Sequence, residues 1–197
     1  PFQHIHPYPP FLFKVAKKWI VGTLPPPRFT QGLLRPGDVD FCYGSRDGQL
    51  WPILNRIFCL DLAFETTPGA VEQRKQFLRE RRLGICDIVD RAEREKIDAS
   101  DQGMKNIRLR NLVGLLEQYP GVEQLLFTGG NSKNGPEYLF RRHLRELGLR
   151  LEPVSAEVPR IHQFRLPAGS GPHRLITTVS LTAPSGSANR AVGGLPE

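Results

Sequence analysis

The sequence predicts an α/β protein of three layers, α/β/α, in which helices cover both faces of a central, mostly parallel sheet. Short apolar segments alternate with helical segments along most of the 197 residues, the order expected for a parallel sheet. Three apolar segments stop abruptly in loops rich in Gly, Pro, Ser and Thr, at residues 23–28, 129–135 and 182–189. Ligands of such sheets bind outside the carboxyl ends of the strands, so we expect these loops to converge on one cleft.

The N-terminal half supplies an arm, one strand and two helices. Residues 1–14 are rich in Pro, His and aromatic side chains, and we expect them to form an extended arm against the domain. A short buried strand follows over 18–23, and three consecutive prolines end it because proline cannot continue a central strand or enter a helix interior. Apolar residues at helical spacing predict a helix over 51–58, and a threonine-proline pair predicts the start of another over 67–82.

The C-terminal half continues the alternation of strands and helices. A long polar segment over 90–105 interrupts it, and we expect residues 191–197 to be a flexible tail. Residues 1–197 are long enough to bury one core, and we expect a single domain. The predicted strands cover 84–89, 124–128, 149–154, 160–166 and 174–181, and the predicted helices cover 107–119 and 136–147.

Charge and composition narrow the class of partner. The formal net charge of +7 and the pI of about 9.7 point to a polyanion, with nucleic acid favoured over a membrane surface. No apolar run approaches about 18 residues and the start has no signal-peptide layout, so we expect a cytoplasmic protein. The three cysteines form no CxxC pair, which argues against a disulfide framework and a four-cysteine metal site. We expect no metal, no other cofactor and no membrane partner, and we take the protein to be a monomer.

The segment 41–51 is the stretch most suggestive of chemistry. It places Ser45, Arg46 and Asp47 between two glycine bends, with aromatic residues on either side and a helix start immediately after. A segment that only packs would not hold this polar triplet, and one that only connects would not hold three aromatic residues. In isolation the segment also fits an ordinary polar turn between a strand and a helix.

Five segments stand out in chain order: Gly22–Pro25, Tyr43–Trp51, Ile85–Val89 with Arg94 and Asp98, Phe127–Gly130 and Pro184–Asn189. Together they resemble motifs of the uracil-DNA glycosylase superfamily, and the pattern is closest to its hypoxanthine-DNA glycosylase branch. No single motif is specific, but the order of all five is. The first is similar to the strand-end loop over the reactive sugar, the second to a segment that ends in an aromatic-tryptophan pair, and the last to a loop that enters the minor groove.

The resemblance implies a uracil-DNA glycosylase-like fold and an enzyme of DNA base-excision repair. Such an enzyme flips a deaminated base, uracil or hypoxanthine, out of the helix and hydrolyses its N-glycosidic bond. The sugar becomes cationic as the bond breaks, so the site must supply nearby negative charge and orient a water molecule.

Two departures from the family pattern bear on the catalytic residue. Leu24 stands where several branches have Asp or Asn, and Ala183 stands where the uracil-specific branch has His. In the hypoxanthine branch an asparagine serves instead, and its position aligns with Gly48. The nearest group able to serve is Asp47, which we expect to orient the water.

Other residues receive roles by the same resemblance. Asp40 and Asp87 are alternatives to Asp47, although Asp87 lies in an apolar strand and is better explained by a structural hydrogen bond. Phe41 and Tyr43 are candidates to contact the base but also fit a buried core. Asn131, a third candidate, also fits a turn or helix cap. The expected contacts are Phe41, Tyr43 and Asn131 for the base; Gly22, Thr23 and Pro25 for the loop over the sugar; and Arg28, Arg46, Ser185, Ser187, Asn189 and Arg190 for DNA.

Two other functions stay open at this stage. A catalytically silent nucleic-acid-binding protein of the same fold is favoured by the residues at Leu24 and Ala183. An enzyme of free nucleosides or nucleotides is favoured by the glycine-rich loop 129–135, which lacks the lysine and hydroxyl spacing of a P-loop.

Overall fold

The computed structural model describes residues 1–167 and 173–184 of the chain. The tail expected at 191–197 lies outside these residues. In chain order the described strands are β1 (Phe2–Ile5), β2 (Lys18–Val21), β3 (Leu83–Ile85), β4 (Val89–Arg94), β5 (Lys105–Leu109), β6 (Gln124–Phe127), β7 (Glu152–Ser155), β8 (Arg160–Leu166) and β9 (Arg174–Ser180). The described helices are α1 (Pro27–Thr30), α2 (Leu50–Phe58), α3 (Pro68–Glu80), α4 (Leu112–Gln118) and α5 (Pro136–Glu146).

Six of these strands form the central sheet, in the order β3-β2-β6-β9-β8-β7. Strands β3, β2, β6 and β9 are parallel neighbours, whereas β8 is antiparallel to both β9 and β7. Five of the six strands therefore point the same way, which confirms the predicted, mostly parallel sheet. The carboxyl ends of β2, β3, β6 and β9 lie side by side at one edge as a consequence.

Helices cover both faces of the sheet. Successive residues of a strand face opposite sides, so neighbouring residues of β2 pack against different helices. Ile20 of β2 belongs to a core with Trp51 of α2 and Phe77 of α3. The next residue, Val21, belongs to a separate core with α4 and with Phe140 of α5. The predicted three-layer α/β/α class is confirmed by these two cores.

A second, antiparallel sheet has the order β1-β4-β5. Its first strand belongs to the predicted arm 1–14, because Phe2 pairs with Arg94 and Ile5 with Arg91. The expected extended arm therefore also contributes a strand to this second sheet. Further along, two backbone hydrogen bonds between Phe11 and Ile85 fix the arm against β3.

Two predicted elements are divided in the structure. The strand expected over 84–89 ends at Ile85, and the chain enters the second sheet at Val89. The helix expected over 107–119 is wrong at its start, because β5 pairs with β4 there and α4 begins only after Asn111. Asn111 caps α4 by accepting a hydrogen bond from the Gly114 amide at 3.0 Å. The strands β4 and β5 are mostly polar and their pairing has two register shifts, so the local apolar spacing did not reveal it.

The other predicted elements agree with the structure to within a few residues. Helices α2, α3 and α5 occupy the predicted segments, and the Thr67 side chain caps α3 by accepting from the Ala70 amide at 3.2 Å. The strand expected over 149–154 is β7, displaced toward the C-terminus, and the polar segment 90–105 contains most of β4. None of the described helices combines the length and the apolar character needed to span a membrane.

Candidate active site

An open cleft of about 1150 Å³ lies at the carboxyl edge of the parallel strands. Residues that follow β2, β3, β6 and β9 line it, among them Thr23, Asp87, Thr128 and Pro184. The segment 43–50, which precedes and begins α2, also contributes to the lining. The three loops expected to converge therefore do so, as far as the structure describes the last of them.

The segment 41–51 is anchored at its bends and at its end. Trp51 is buried, and its Nε1 donates to a backbone carbonyl of the same segment at 2.9 Å. At Gly44 the chain turns so tightly that a Cβ atom would overlap backbone carbonyl oxygens of the preceding residues. The second bend closes where the Gly48 amide donates to the Ser45 carbonyl at 2.9 Å. The polar triplet between the glycines is thereby presented at the cleft.

A buried carboxylate, Asp38, organises the chain around this segment. It accepts two hydrogen bonds from the Arg28 guanidinium, at 2.8 and 2.7 Å, and one each from the Arg35 and Arg46 amides, at 2.8 and 2.9 Å. Burial opposes the ionisation of Asp38, but these donors outweigh it and lower its pKa to about 2. Arg28 is therefore held in place by an internal partner as well as lining the cleft.

An Asp38→Asn variant is expected to unfold more easily at neutral pH, by about 2 kcal/mol, because Arg28 loses its charged partner. The folded pKa of Asp38 lies below the reference value of 3.8, so its ionised form stabilises the fold above that pH and the stabilisation is lost as the pH falls toward 2. Denaturant unfolding of both proteins between about pH 6 and pH 2 tests this prediction. The difference between their free energies of unfolding should shrink toward pH 2, and a constant difference would contradict it.

Three side chains meet above the backbone of Gly22. The Tyr43 hydroxyl donates to Asp87 Oδ1 at 3.2 Å and lies 3.0 Å from the Thr128 hydroxyl. Asp87 Oδ1 also accepts from the Gly22 amide at 2.8 Å. Burial, followed by the charge of Asp87, raises the pKa of Tyr43 well above its usual value, which keeps the phenol a donor. These contacts join the ends of β2, β3 and β6 to the segment 41–51.

Asp87 has a further partner in the N-terminal arm. His6 is buried, and its Nε2 lies 2.7 Å from Asp87 Oδ2. The other ring nitrogen, Nδ1, accepts from the Tyr8 amide at 3.1 Å. A ring nitrogen that accepts carries no proton, so the proton lies on Nε2 and His6 donates to Asp87. The carboxylate of Asp87 is therefore held by three donors.

The mouth of the cleft carries charges of both signs. The Asp47 side chain is 69 % exposed, and its Oδ2 lies 4.0 Å from Arg28 Nη2. Arg46 and Lys133 are exposed and also line the cleft. An exposed carboxylate among cations can contact both water and an approaching polyanion, so Asp47 stays the predicted catalytic residue.

A second carboxyl group, Asp101, approaches the loop after β2. The Thr23 hydroxyl donates to Asp101 Oδ1 at 2.6 Å, and both residues line the cleft. Burial raises the pKa of Asp101, although the hydrogen bond from Thr23 opposes the shift. The contact fixes Thr23, whose neighbour Pro25 also lines the cleft.

A buried acid holds the end of β9 beside the cleft. Glu137, in the first turn of α5, accepts from the Ser180 hydroxyl at 2.8 Å and from Arg141 Nε at 3.0 Å. Burial opposes its ionisation, but these donors lower the pKa of Glu137. Residues Leu181 to Pro184 continue directly from this fixed point into the cleft wall.

Four residues named by sequence lie outside the cleft lining, and one of them, Gly22, still contacts it through the hydrogen bond from its amide to Asp87. Phe41 is only 5 % exposed and packs in the core against Trp51, so its position does not fit a stacking role. Asn131 is exposed and does not line the cleft, whereas Thr128 does. Asp40 accepts from the Tyr8 hydroxyl at 2.6 Å and is likewise absent from the lining.

Four expected DNA contacts cannot be placed, because they lie outside the described residues: Ser185, Ser187, Asn189 and Arg190. Only the start of their loop is described. There the Gln49 amide donates to the Pro184 carbonyl at 3.0 Å, which ties the loop to the residue before α2.

Sequence reasoning missed four residues of this site, namely Asp38, His6, Asp101 and Thr128. Thr128 could have been found, since it is the last residue of a predicted strand that runs into a glycine-rich loop. The partners of His6 and Asp101 are 81 and 78 residues away, and no local pattern indicates contacts at that distance. Among the described residues, no group of three or more His, Cys, Asp or Glu side chains is placed to hold a metal ion.

Comparisons with known proteins add one finding. No family model and no curated protein matches this chain. Among solved structures, the chain is similar to the solution NMR structure of a putative uracil DNA glycosylase from Methanosarcina acetivorans. The two are 18 % identical with a TM-score of 0.58, over 96 % of this chain and 89 % of that one. At this identity the likeness establishes the fold, which is that of the M. acetivorans protein.

Proposed function

We propose that the protein is a DNA glycosylase that removes a deaminated base, uracil or hypoxanthine, from DNA. The observation that carries the proposal is the cleft, where aspartates of two different segments, Asp47 and Asp87, lie at the carboxyl edge of a uracil-DNA glycosylase-like sheet. Asp101 also lines the cleft, but Asp47 and Asp87 are the two that we assign to the pair of carboxyl groups commonly used to hydrolyse a glycosidic bond. The net charge of +7 supports DNA as the substrate.

The positions of the side chains support hydrolysis of a glycosidic bond in this cleft. The flipped nucleotide enters the cleft, where the ring of Tyr43 can stack on the base. The bond between sugar C1′ and the base nitrogen breaks, and its electron pair leaves with the base. Asp47 accepts a proton from the water that attacks C1′, and the departing base takes up a proton from solvent. The products are the free base and an abasic site.

Phosphate contacts are assigned to the cations at the mouth of the cleft. Arg46 and Lys133 are exposed there, and Arg28 presents part of its guanidinium while paired with Asp38. Such contacts position the DNA without reading its sequence. The choice between uracil and hypoxanthine falls to the groups around the stacked base, including Thr128.

The proposal is tested by incubating the protein with duplexes that contain uracil, hypoxanthine or xanthine and then cleaving abasic sites with alkali. We expect strand breaks at one or more of the modified positions and none in an unmodified duplex. Absence of breaks with all three bases, on single and double strands alike, would overturn the proposal.

A silent DNA-binding protein is the second candidate, and one observation favours it. Leu24 and Ala183 both line the cleft, so apolar side chains occupy two positions at which members of the resembled family carry catalytic groups. In the same assay, binding that weakens steeply with salt but yields no breaks would support this candidate.

A further inference from the structure

The proposed glycosylase must activate a water molecule and stabilise a cationic sugar. Two carboxylates of the cleft, Asp47 and Asp87, differ in exposure, so that each suits one of these tasks. Asp47 is 69 % exposed at the mouth, whereas Asp87 is 5 % exposed and held by hydrogen bonds. A water molecule is activated where solvent can enter, and a cationic sugar is best stabilised by a fixed charge at a site with little water. The geometry points to a division of these tasks between the two residues.

We propose that Asp87 is the carboxylate that stabilises the cationic sugar, and that His6 is the positioning residue that fixes it. This inference rests on the proposed function. It extends the site to the N-terminal arm, because His6 follows directly after β1 and reaches Asp87 across 81 residues of sequence.

The hydrogen bonds of Asp87 preserve its negative charge. Gly22 N and the Tyr43 hydroxyl donate to Oδ1, and His6 Nε2 donates to Oδ2. His6 does so as a neutral imidazole, because its Nδ1 is occupied as an acceptor of the Tyr8 amide. His6 therefore acts on Asp87 as a hydrogen-bond donor, by its position.

Within residues 1–167 and 173–184, the cation that contacts Asp87 binds its backbone and not its carboxylate. Arg110 Nη1 donates to the backbone carbonyl of Asp87 at 3.3 Å, and Nη2 donates to the Tyr8 carbonyl at 2.6 Å. Among the described residues, no lysine or arginine side chain forms a salt bridge with the Asp87 carboxylate. The side chain consequently keeps its charge for a ligand in the cleft.

The test compares the rate of excision at saturating protein in four variants. Asp87→Asn should excise more slowly by a factor on the order of 10²–10³, with unchanged DNA affinity. His6→Ala should lose on the order of 10² through misplacement of Asp87. His6→Gln should recover most of that loss, because the amide nitrogen of glutamine can occupy the place of Nε2 and donate to Asp87. In His143→Ala, which removes a buried histidine that accepts from the Val113 amide away from the cleft, the rate should stay at the wild-type value.

The hydrogen bond between His6 and Asp87 is also tested by a measurement that does not depend on activity. Long-range ¹H–¹⁵N correlation spectra of the histidine rings should show His6 with a proton on Nε2 and none on Nδ1. The Nε2 resonance should shift in Asp87→Asn and stay unchanged in Asp90→Asn, a nearby aspartate that contacts surface arginines.

The outcomes separate the two proposals. If the wild type excises a base and Asp87→Asn or His6→Ala does so equally fast, the inference is wrong and the glycosylase proposal stands. If His6→Gln is as slow as His6→Ala while both melt like the wild type, His6 is not the positioning donor. If the wild type excises no base, the glycosylase proposal itself is wrong. If the spectra place the His6 proton on Nδ1, His6 Nε2 is not the donor to Asp87, whatever the activity.

Discussion

A Gly22→Ala variant is expected to excise bases more slowly by a factor on the order of 10² and to lose about 1–3 kcal/mol of stability. A Cβ atom on Gly22 would overlap the Tyr43 hydroxyl oxygen and lie 2.9 Å from Thr128 Oγ1. The Tyr43 hydroxyl would have to move away from Gly22, which would disturb its hydrogen bond to Asp87. One added methyl group would therefore disturb the base-stacking ring and the buried carboxylate together.

Gly130→Ala is the matched control for this prediction. Gly130 follows β6 at the same edge of the sheet, and a Cβ atom there would meet no other atom within 4 Å. We expect Gly130→Ala to keep the wild-type rate and the wild-type melting temperature. If Gly22→Ala and Gly130→Ala show equal rates when they are measured side by side, the space above Gly22 is not needed for the reaction.

The fold could be predicted because its signals are local. Strand β2 ends in prolines and β6 ends in glycines, so the sequence marks the carboxyl edge where the cleft lies. The second sheet was missed because β1 finds its partner β4 far away in the chain, and β5 is too short to distinguish from the start of a helix.

The site could be predicted only in part, and two aromatic residues show why. Phe41 and Tyr43 are two residues apart in one segment, yet Phe41 packs in the core while Tyr43 lines the cleft. Tyr43 has a φ of 59°, a left-handed conformation that is rare for a bulky residue, so the alternation of a regular strand does not apply. Sequence spacing alone cannot decide which ring faces a ligand in such a turn.

An Asp47→Asn variant is expected to lose excision by a factor on the order of 10²–10³ while binding DNA as tightly as the wild type or slightly more so. The amide keeps the shape of the side chain but cannot accept a proton from water. Because Asp47 is 69 % exposed, its replacement should leave the melting temperature unchanged, so a loss of rate would not reflect unfolding. Single-turnover excision and DNA titrations over a range of salt concentrations measure the two effects separately.

Asp40→Asn provides the matched control, since it removes a second carboxylate from the same stretch of chain. Asp40 accepts from the Tyr8 hydroxyl outside the cleft lining, and an asparagine oxygen can still accept that bond. Its rate should therefore equal that of the wild type. Equal activity of Asp47→Asn and wild type would remove Asp47 from the mechanism. If Asp87→Asn were inactive in that case, water activation would also have to be assigned to the buried carboxylate, and the cleft would work with one aspartate instead of two.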